Sequence, residues 1–258
     1  MTGPTILVLQ HDSSDPLLRM QSWLVEAGAV LTVLRPFAGD QVPADLSGFD
    51  AVISLGGAMG ALDDERAPWL PATRHLLATA VHQQVPTLGI CLGSQLLAAA
   101  TGGSVTVGDR GPEIGAYLTA KRDAAESDPL FAATPMTPDV MQYHYDVVSR
   151  LPPGAVLLMT GTGYPHQAWR IGERAWGIQF HIEPAAEDLR VWAKGEGRDP
   201  SAMPRLGPAL DEAAENIAVV WREFTHRFVA LAAADDSRDS MVGKRIPLIG
   251  SAGTGSGG

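Results

Sequence analysis

The chain has 258 residues, 45% of them hydrophobic, enough to build one large domain or two small ones around a sizeable core. Lys and Arg number 19 against 29 Asp and Glu, and the net charge of −10 repels phosphate backbones and anionic lipid, which speaks against nucleic-acid and membrane-surface roles. One cysteine excludes an internal disulfide and zinc sites built on two or four cysteines, and it fits a reducing compartment. The first four residues lead straight into Ile6-Leu7-Val8-Leu9 without a charged leader, and no apolar run approaches the ~20 residues of a membrane span. A soluble, cytoplasmic protein is expected.

The first hundred residues alternate short apolar runs with longer amphipathic ones, the pattern of a parallel sheet wrapped by helices. The spacing predicts a strand over 5–10, a helix over 16–27 and a strand over 29–34. A strand follows over 50–55, then a helix over 68–84 with proline near its start, and a buried strand over 87–90. A helix over 94–101 stops at Gly102-Gly103. Residues 104–181 are richer in short β segments, clearest over 155–161, 166–172 and 175–181. Helices resume over 185–194 and 208–234. The segment "GSAGTGSGG" (250–258) is too poor in apolar residues to repay its ordering entropy. The expected division is therefore one domain over 1–234 and a flexible Gly/Ser-rich tail over 235–258.

The only cysteine sits in "LGICLGSQLL" (88–97), with Gly89 and Gly93 two positions to either side. Where a strand turns sharply into a helix, the apex residue is held in strained backbone geometry, and side chains two positions away would collide. Glycine removes that collision. The apex thiol then stands at the carboxyl edge of the sheet, where ligands generally bind, and at a helix N-terminus whose partial positive charge favours thiolate.

A thiolate that attacks a carbonyl needs a base, a group that orients the base, and donors for the oxyanion. Two pairs have suitable spacing. His181 with Glu183 closes the strand-like "WGIQFHIE", where period-two alternation puts Gln179, His181 and Glu183 on one face. His144 with Asp146, in "QYHYD", has the same spacing, and local sequence leaves both open. His11, His75, His82, His166 and His226 read as ordinary surface or capped histidines. "SLGGAMG" (54–60) follows a predicted strand and exposes backbone N–H groups at the same edge, so it offers half of an oxyanion hole. The N–H of Leu92 offers the other half.

Together these residues resemble the class I glutamine amidotransferase family in its stand-alone form, over about 5–195. "GGAMG" with "DD" at 63–64, "PTLGICLGSQLLA", "EIG" at 113–115, "HYD" at 144–146 followed by "LPPGAVLL", "HQAWRIG" and "GIQFHIE" occur in the family's order. Proline is frequent in the family after the paired glycines and between the histidine and glutamate; Ala58 and Ile182 stand there instead, and neither removes a functional group. The resemblance implies an open, mostly parallel sheet flanked by helices, flavodoxin-like, with a smaller antiparallel β region. It implies Cys91 as nucleophile, His181 as base and acid, and Glu183 as the group that orients His181. Gly57 and Leu92 would supply oxyanion N–H groups. Gln95 and the segment around Tyr143 and His144 would hold the α-amino and carboxylate end of glutamine, which removes His144 from the base role.

The implied reaction is hydrolysis of the glutamine side-chain amide through a thioester, with no cofactor or metal. No phosphate-cradling glycine loop ahead of a lysine is present, and a partner synthetase is one solution for the ammonia. A γ-glutamyl peptidase or hydrolase with the same triad is the rival, because the elbow serves either carbonyl. A non-catalytic binding protein on the same fold comes next. A serine-type α/β hydrolase is disfavoured by cysteine at the elbow.

Overall fold

A computed structural model of the chain describes residues 3–242. In chain order it contains β1 (Thr5–Leu9), α1 (Met20–Glu26), β2 (Val30–Leu34), β3 (Ala51–Ser54), α2 (Leu70–Gln83), β4 (Thr87–Ile90), α3 (Leu92–Ala100), β5 (Ser104–Val107), β6 (Glu113–Leu118) and β7 (Ala120–Lys121). β8 (Asp139–His144), β9 (Asp146–Arg150), β10 (Val156–Thr160), β11 (Ala168–Ile171), β12 (Ala175–Ile178), α4 (Ala186–Gly195) and α5 (Pro208–Val242) follow. The main sheet has the order β2-β1-β3-β4-β12-β11-β10-β7. Its first five strands pair in parallel and the rest antiparallel. Two antiparallel pairs, β5 with β9 and β6 with β8, form the smaller β region. The mostly parallel sheet expected from the sequence is therefore present.

Alternation along β1 explains the layers. Ile6 and Val8 join one core cluster with residues of α1 and α5, while Leu7 and Leu9 join a second with residues of α2 and α3. Helices thus cover both faces, which is why these strands are apolar on both sides. Trp221 of α5 anchors the first layer, with its ring against Phe131, Phe180 and Phe224 and its Nε1–H donated to the Asp139 carbonyl.

The parallel register aligns the carboxyl ends that matter. Leu9 pairs with Ser54, Ser54 with Gly89, and Gly89 with Gly177. The segments that leave β1, β3, β4 and β12 therefore emerge side by side at one edge.

Several boundaries differ from the sequence expectation. The helix expected from residue 16 starts at Met20, because Pro16 and a left-handed Leu18 (φ 44°) make the approach a turn, and the Arg19 N–H donates to the Glu183 carbonyl instead. Helix α3 begins at Leu92, directly after Cys91, rather than at 94. Strand β12 ends at Ile178, so His181 lies beyond it and meets β8 only through a bridge to Met141. Helix α5 runs to Val242, past the residue where a tail was expected to start, and the rest of that expected tail, 243–258, lies outside the described residues. Among the described residues no helix is long and apolar enough to cross a membrane.

A Cβ on Gly93 would lie 1.9 Å from the Ser54 carbonyl oxygen, a backbone atom of the central sheet that cannot step aside. Gly93→Ala is expected to cost about 2–3 kcal/mol, read as a fall in Tm of roughly 4–10 °C or as loss of soluble protein. An alanine variant that melts with the parent would contradict this packing.

Candidate active site

Cys91 occupies the apex between β4 and α3 with φ 50° and ψ −107°, outside the regions an L-residue normally adopts, at a cost of order 1–3 kcal/mol. Its neighbours hold it there. The Cys91 N–H donates to the Ile178 carbonyl (2.9 Å) and its carbonyl accepts from the Gln95 N–H (3.1 Å). A Cβ on Gly89 would lie 2.5 Å from the Gly93 carbonyl oxygen, so both flanking glycines are required for the turn to close. The thiol is almost fully buried, with Sγ 3.9 Å from the Tyr143 carbonyl oxygen and 3.9 Å from the Gln179 amide nitrogen.

His181 is buried beside it. Its Nδ1–H donates to Glu183 Oε1 at 2.6 Å, and Glu183 Oε2 accepts the Ile182 N–H at 2.8 Å. The pair is assembled by the turn after β12 and not by strand alternation, since the strand has already ended. The His181 N–H reaches the Met141 carbonyl (2.7 Å), and the Trp192 ring of α4 meets the imidazole edge-on at 5.1 Å. Burial alone would pull the His181 pKa down. The charges of Glu183, Cys91 and Asp15 and a hydrogen bond with Cys91 outweigh it, and His181 titrates well above its ordinary range.

Asp15 was not singled out in the sequence. It lies in the loop after β1, buried, and its Oδ1 has no hydrogen-bond partner among the described residues. One oxygen each of Asp15 and Glu183 and one ring nitrogen of His181 lie within 4.8 Å of one another. Burial raises the Asp15 pKa to about 7; the charge of His181 works against that shift, and those of Glu183 and Asp12 add to it. The loop is held from above by Trp192, whose Nε1–H donates to the Ser14 carbonyl at 3.0 Å. The three groups have the donor types of a cation site, but His181 Nδ1 and both Glu183 oxygens are already committed to hydrogen bonds.

The remaining sequence candidates gather around the same edge. Gly57 packs against Leu92, since a Cβ there would lie 3.0 Å from Leu92 Cδ2. Leu92 is the first residue of α3, so its N–H has no helix carbonyl to bond. Gln95 Nε2 donates to the Asp146 carbonyl (2.9 Å), and Tyr143 contributes its carbonyl beside Cys91. His144 has both ring nitrogens engaged, Nε2 with Glu113 Oε2 (3.1 Å) and Nδ1 with the Asp146 carbonyl (3.2 Å). Its ring is therefore tied to Glu113, and the Cys91 thiol faces the backbone of the preceding residue. His11, two residues past β1, is paired with Ser54 Oγ (2.9 Å), and burial pulls its pKa down to about 4.

Sequence reasoning missed Asp15, Gln179 as a thiol neighbour, and Trp192. The only available signal for Asp15 was its place just past a parallel strand.

The family model for glutamine amidotransferase class-I matches residues 20–189. The chain is 30% identical over 182 residues to the glutamine amidotransferase-like protein YfeJ of Salmonella typhimurium, covering 69% of this chain and 74% of that protein. It is 35% identical over 144 residues to the glutamine-hydrolyzing GMP synthase of Christiangramia forsetii, covering 55% of this chain and only 26% of that protein. The crystal structure of a glutamine amidotransferase from Thermotoga maritima superposes with a TM-score of 0.78 at 28% identity, covering 90% of this chain and 99% of that one.

Asp15 makes stability depend on pH. The folded state keeps the Asp15 proton up to about pH 7, while an unfolded aspartate loses it near 4. Between those values the folded state holds the extra proton, so stability falls as pH rises, by on the order of 4 kcal/mol in total. Asp15→Asn removes the charge, so the variant is expected to melt several degrees above the parent at pH 8, with the gap narrowing at pH 5. A constant gap across that range, or a variant that melts lower at pH 8, would contradict the assignment.

Proposed function

The chain belongs to the glutamine amidotransferase class-I family, and from that premise we propose that it hydrolyses the side-chain amide of glutamine through a thioester on Cys91, releasing glutamate and ammonia. The observation that carries this reading is a buried cysteine on a strand-to-helix turn with a histidine beside it that is held by a carboxylate at 2.6 Å. In the proposed cycle Cys91 gives its proton to His181, and Sγ bonds to the amide carbon. The oxyanion faces the N–H groups of Gly57 and Leu92. The C–N bond breaks as the amine takes a proton from His181 and leaves as ammonia. Water, deprotonated by His181, then cleaves the thioester, and the proton returns to Sγ. Glu183 orients the ring and stabilises its charged form.

The α-amino and carboxylate end of the donor is assigned to the wall formed by Gln95, Tyr143 and His144. For the ammonia, a separate synthetase partner is the proposed recipient. The match to the Christiangramia forsetii enzyme, which covers about a quarter of that protein, supports a chain that supplies one part of a larger reaction.

Cys91→Ala is expected to abolish ammonia release from glutamine while melting within a few degrees of the parent, because the thiol is the covalent nucleophile. Retained turnover in that variant would end the assignment.

Two charge-neutral changes separate the histidine pairs. Glu183→Gln is expected to lower kcat by roughly ten- to thousand-fold, since the imidazolium loses its counter-charge. Asp146→Asn is expected to act chiefly on KM, because Asp146 follows the Tyr143–His144 segment assigned to the donor's α-amino and carboxylate end and the change removes its side-chain charge there. Steady-state kinetics on both, with matched melting curves, gives the answer, and a collapse of kcat only in Asp146→Asn would make His144 the base.

A further inference from the structure

His181 faces two carboxylates, and the proposed mechanism uses only one of them. Glu183 takes the Nδ1 side. The other, Asp15, lies against Gly56, the second residue after β3. A Cβ on Gly56 would lie 2.0 Å from Asp15 Oδ2 and 3.0 Å from His181 Cε1, so the absent side chain is what lets the carboxylate and the ring edge share that space. The loop after β1 is pinned there from several sides. Asp12 Oδ2 accepts the Ala58 N–H (3.4 Å), Gln10 Nε2 donates to the Asp12 carbonyl (2.8 Å), and Trp192 bonds the Ser14 carbonyl. Asp15 is more than nine-tenths buried, and its Oδ1 finds no hydrogen-bond partner among the described residues. A buried, under-bonded carboxylate costs stability, and a structural role would be served as well by a neutral side chain.

We infer that Asp15 is a positioning residue for the Cys91–His181 pair: its carboxylate lies by the Cε1 edge of the His181 ring, in the space left by Gly56, and stabilises the imidazolium that forms when Cys91 gives up its proton. Resting on the hydrolase reading given above, this extends its machinery by a residue 166 positions away in sequence. The other charged groups around the ring are accounted for. Glu183 and Cys91 act on His181 directly, Asp12 faces Asp15 from its own loop, and Arg19 faces Glu183 together with Asp188. Arg19 serves the Glu183 side, which leaves Asp15 as the counter-charge on the Gly56 side. Because burial keeps Asp15 protonated up to about pH 7, its charge reaches the ring only above neutrality.

The test is a pH titration of the His181 ring by NMR, with histidine labelled at Cε1 and the His181 signal identified by its loss in His181→Asn. In the parent, His181 is expected to stay cationic well above the usual histidine range. In Asp15→Asn its midpoint is expected to fall by about one pH unit or more, while the signals of His75 and His82 on α2 stay in place. Glutamine turnover is measured on the same samples. Its alkaline limb is expected to move down with the NMR midpoint, and the two proteins are expected to converge below pH 6, where Asp15 is neutral in the parent. An unmoved His181 midpoint in a folded Asp15→Asn protein overturns the inference. A shifted midpoint without turnover in either protein upholds it and sinks the glutaminase reading instead.

Discussion

The backbone of Cys91 is the constraint from which the rest of the site follows. A residue at φ 50° and ψ −107° does not stay there unaided, and the surrounding structure over-determines it. The β4 register fixes its N–H on Ile178, α3 starts at the next residue, and Gly89 and Gly93 vanish so that the turn can close against the β3 backbone. With the apex held in this way, the thiol is delivered to a spot that β12 and β8 also reach, through Gln179, His181 and the Tyr143 carbonyl. Parallel register does the long-range work: strands far apart in sequence end level with one another, so their trailing loops converge.

At that convergence the electrostatics are one-sided. Glu183 and Asp15 crowd a single imidazole, Asp12 adds its charge on Asp15, and Arg19 faces Glu183. Such crowding destabilises the fold but favours a proton on His181, which is the state in which the ring can protonate a departing amine. Trp192 closes the arrangement by pressing on the ring and bonding the Ser14 carbonyl, which keeps the Asp15 loop from swinging out to water. Excluding water in this way strengthens each of the charge interactions inside.

Much of this was legible in the sequence because it is local. The paired glycines around Cys91 have a steric reason that the structure reproduces, and the apolar runs that become β1, β3, β4 and β12 carry their period openly. The His181–Glu183 contact was anticipated from alternation, yet the strand ends at Ile178 and a turn makes the contact, so the contact arises for a different reason. Asp15 was not legible. Its position is set by Pro16, the left-handed Leu18 and a gap left by Gly56, and no pattern within the loop announces that these meet a histidine at position 181. His144 was harder to place for a similar reason, since its partner Glu113 comes from β6, across a strand pair.

The central claim is that Cys91 forms a covalent bond to the γ-carbonyl of the donor. The most direct measurement is rapid acid quench of the protein mixed with glutamine, followed by mass spectrometry of the Cys91 peptide. As the chain has one cysteine, a thioester can form at no other residue. The account predicts a γ-glutamyl adduct on Cys91 that appears before steady state and is absent when His181 is replaced by Asn. Ammonia released at full rate with no adduct at any quench time, or an adduct carried on a different residue, would contradict it.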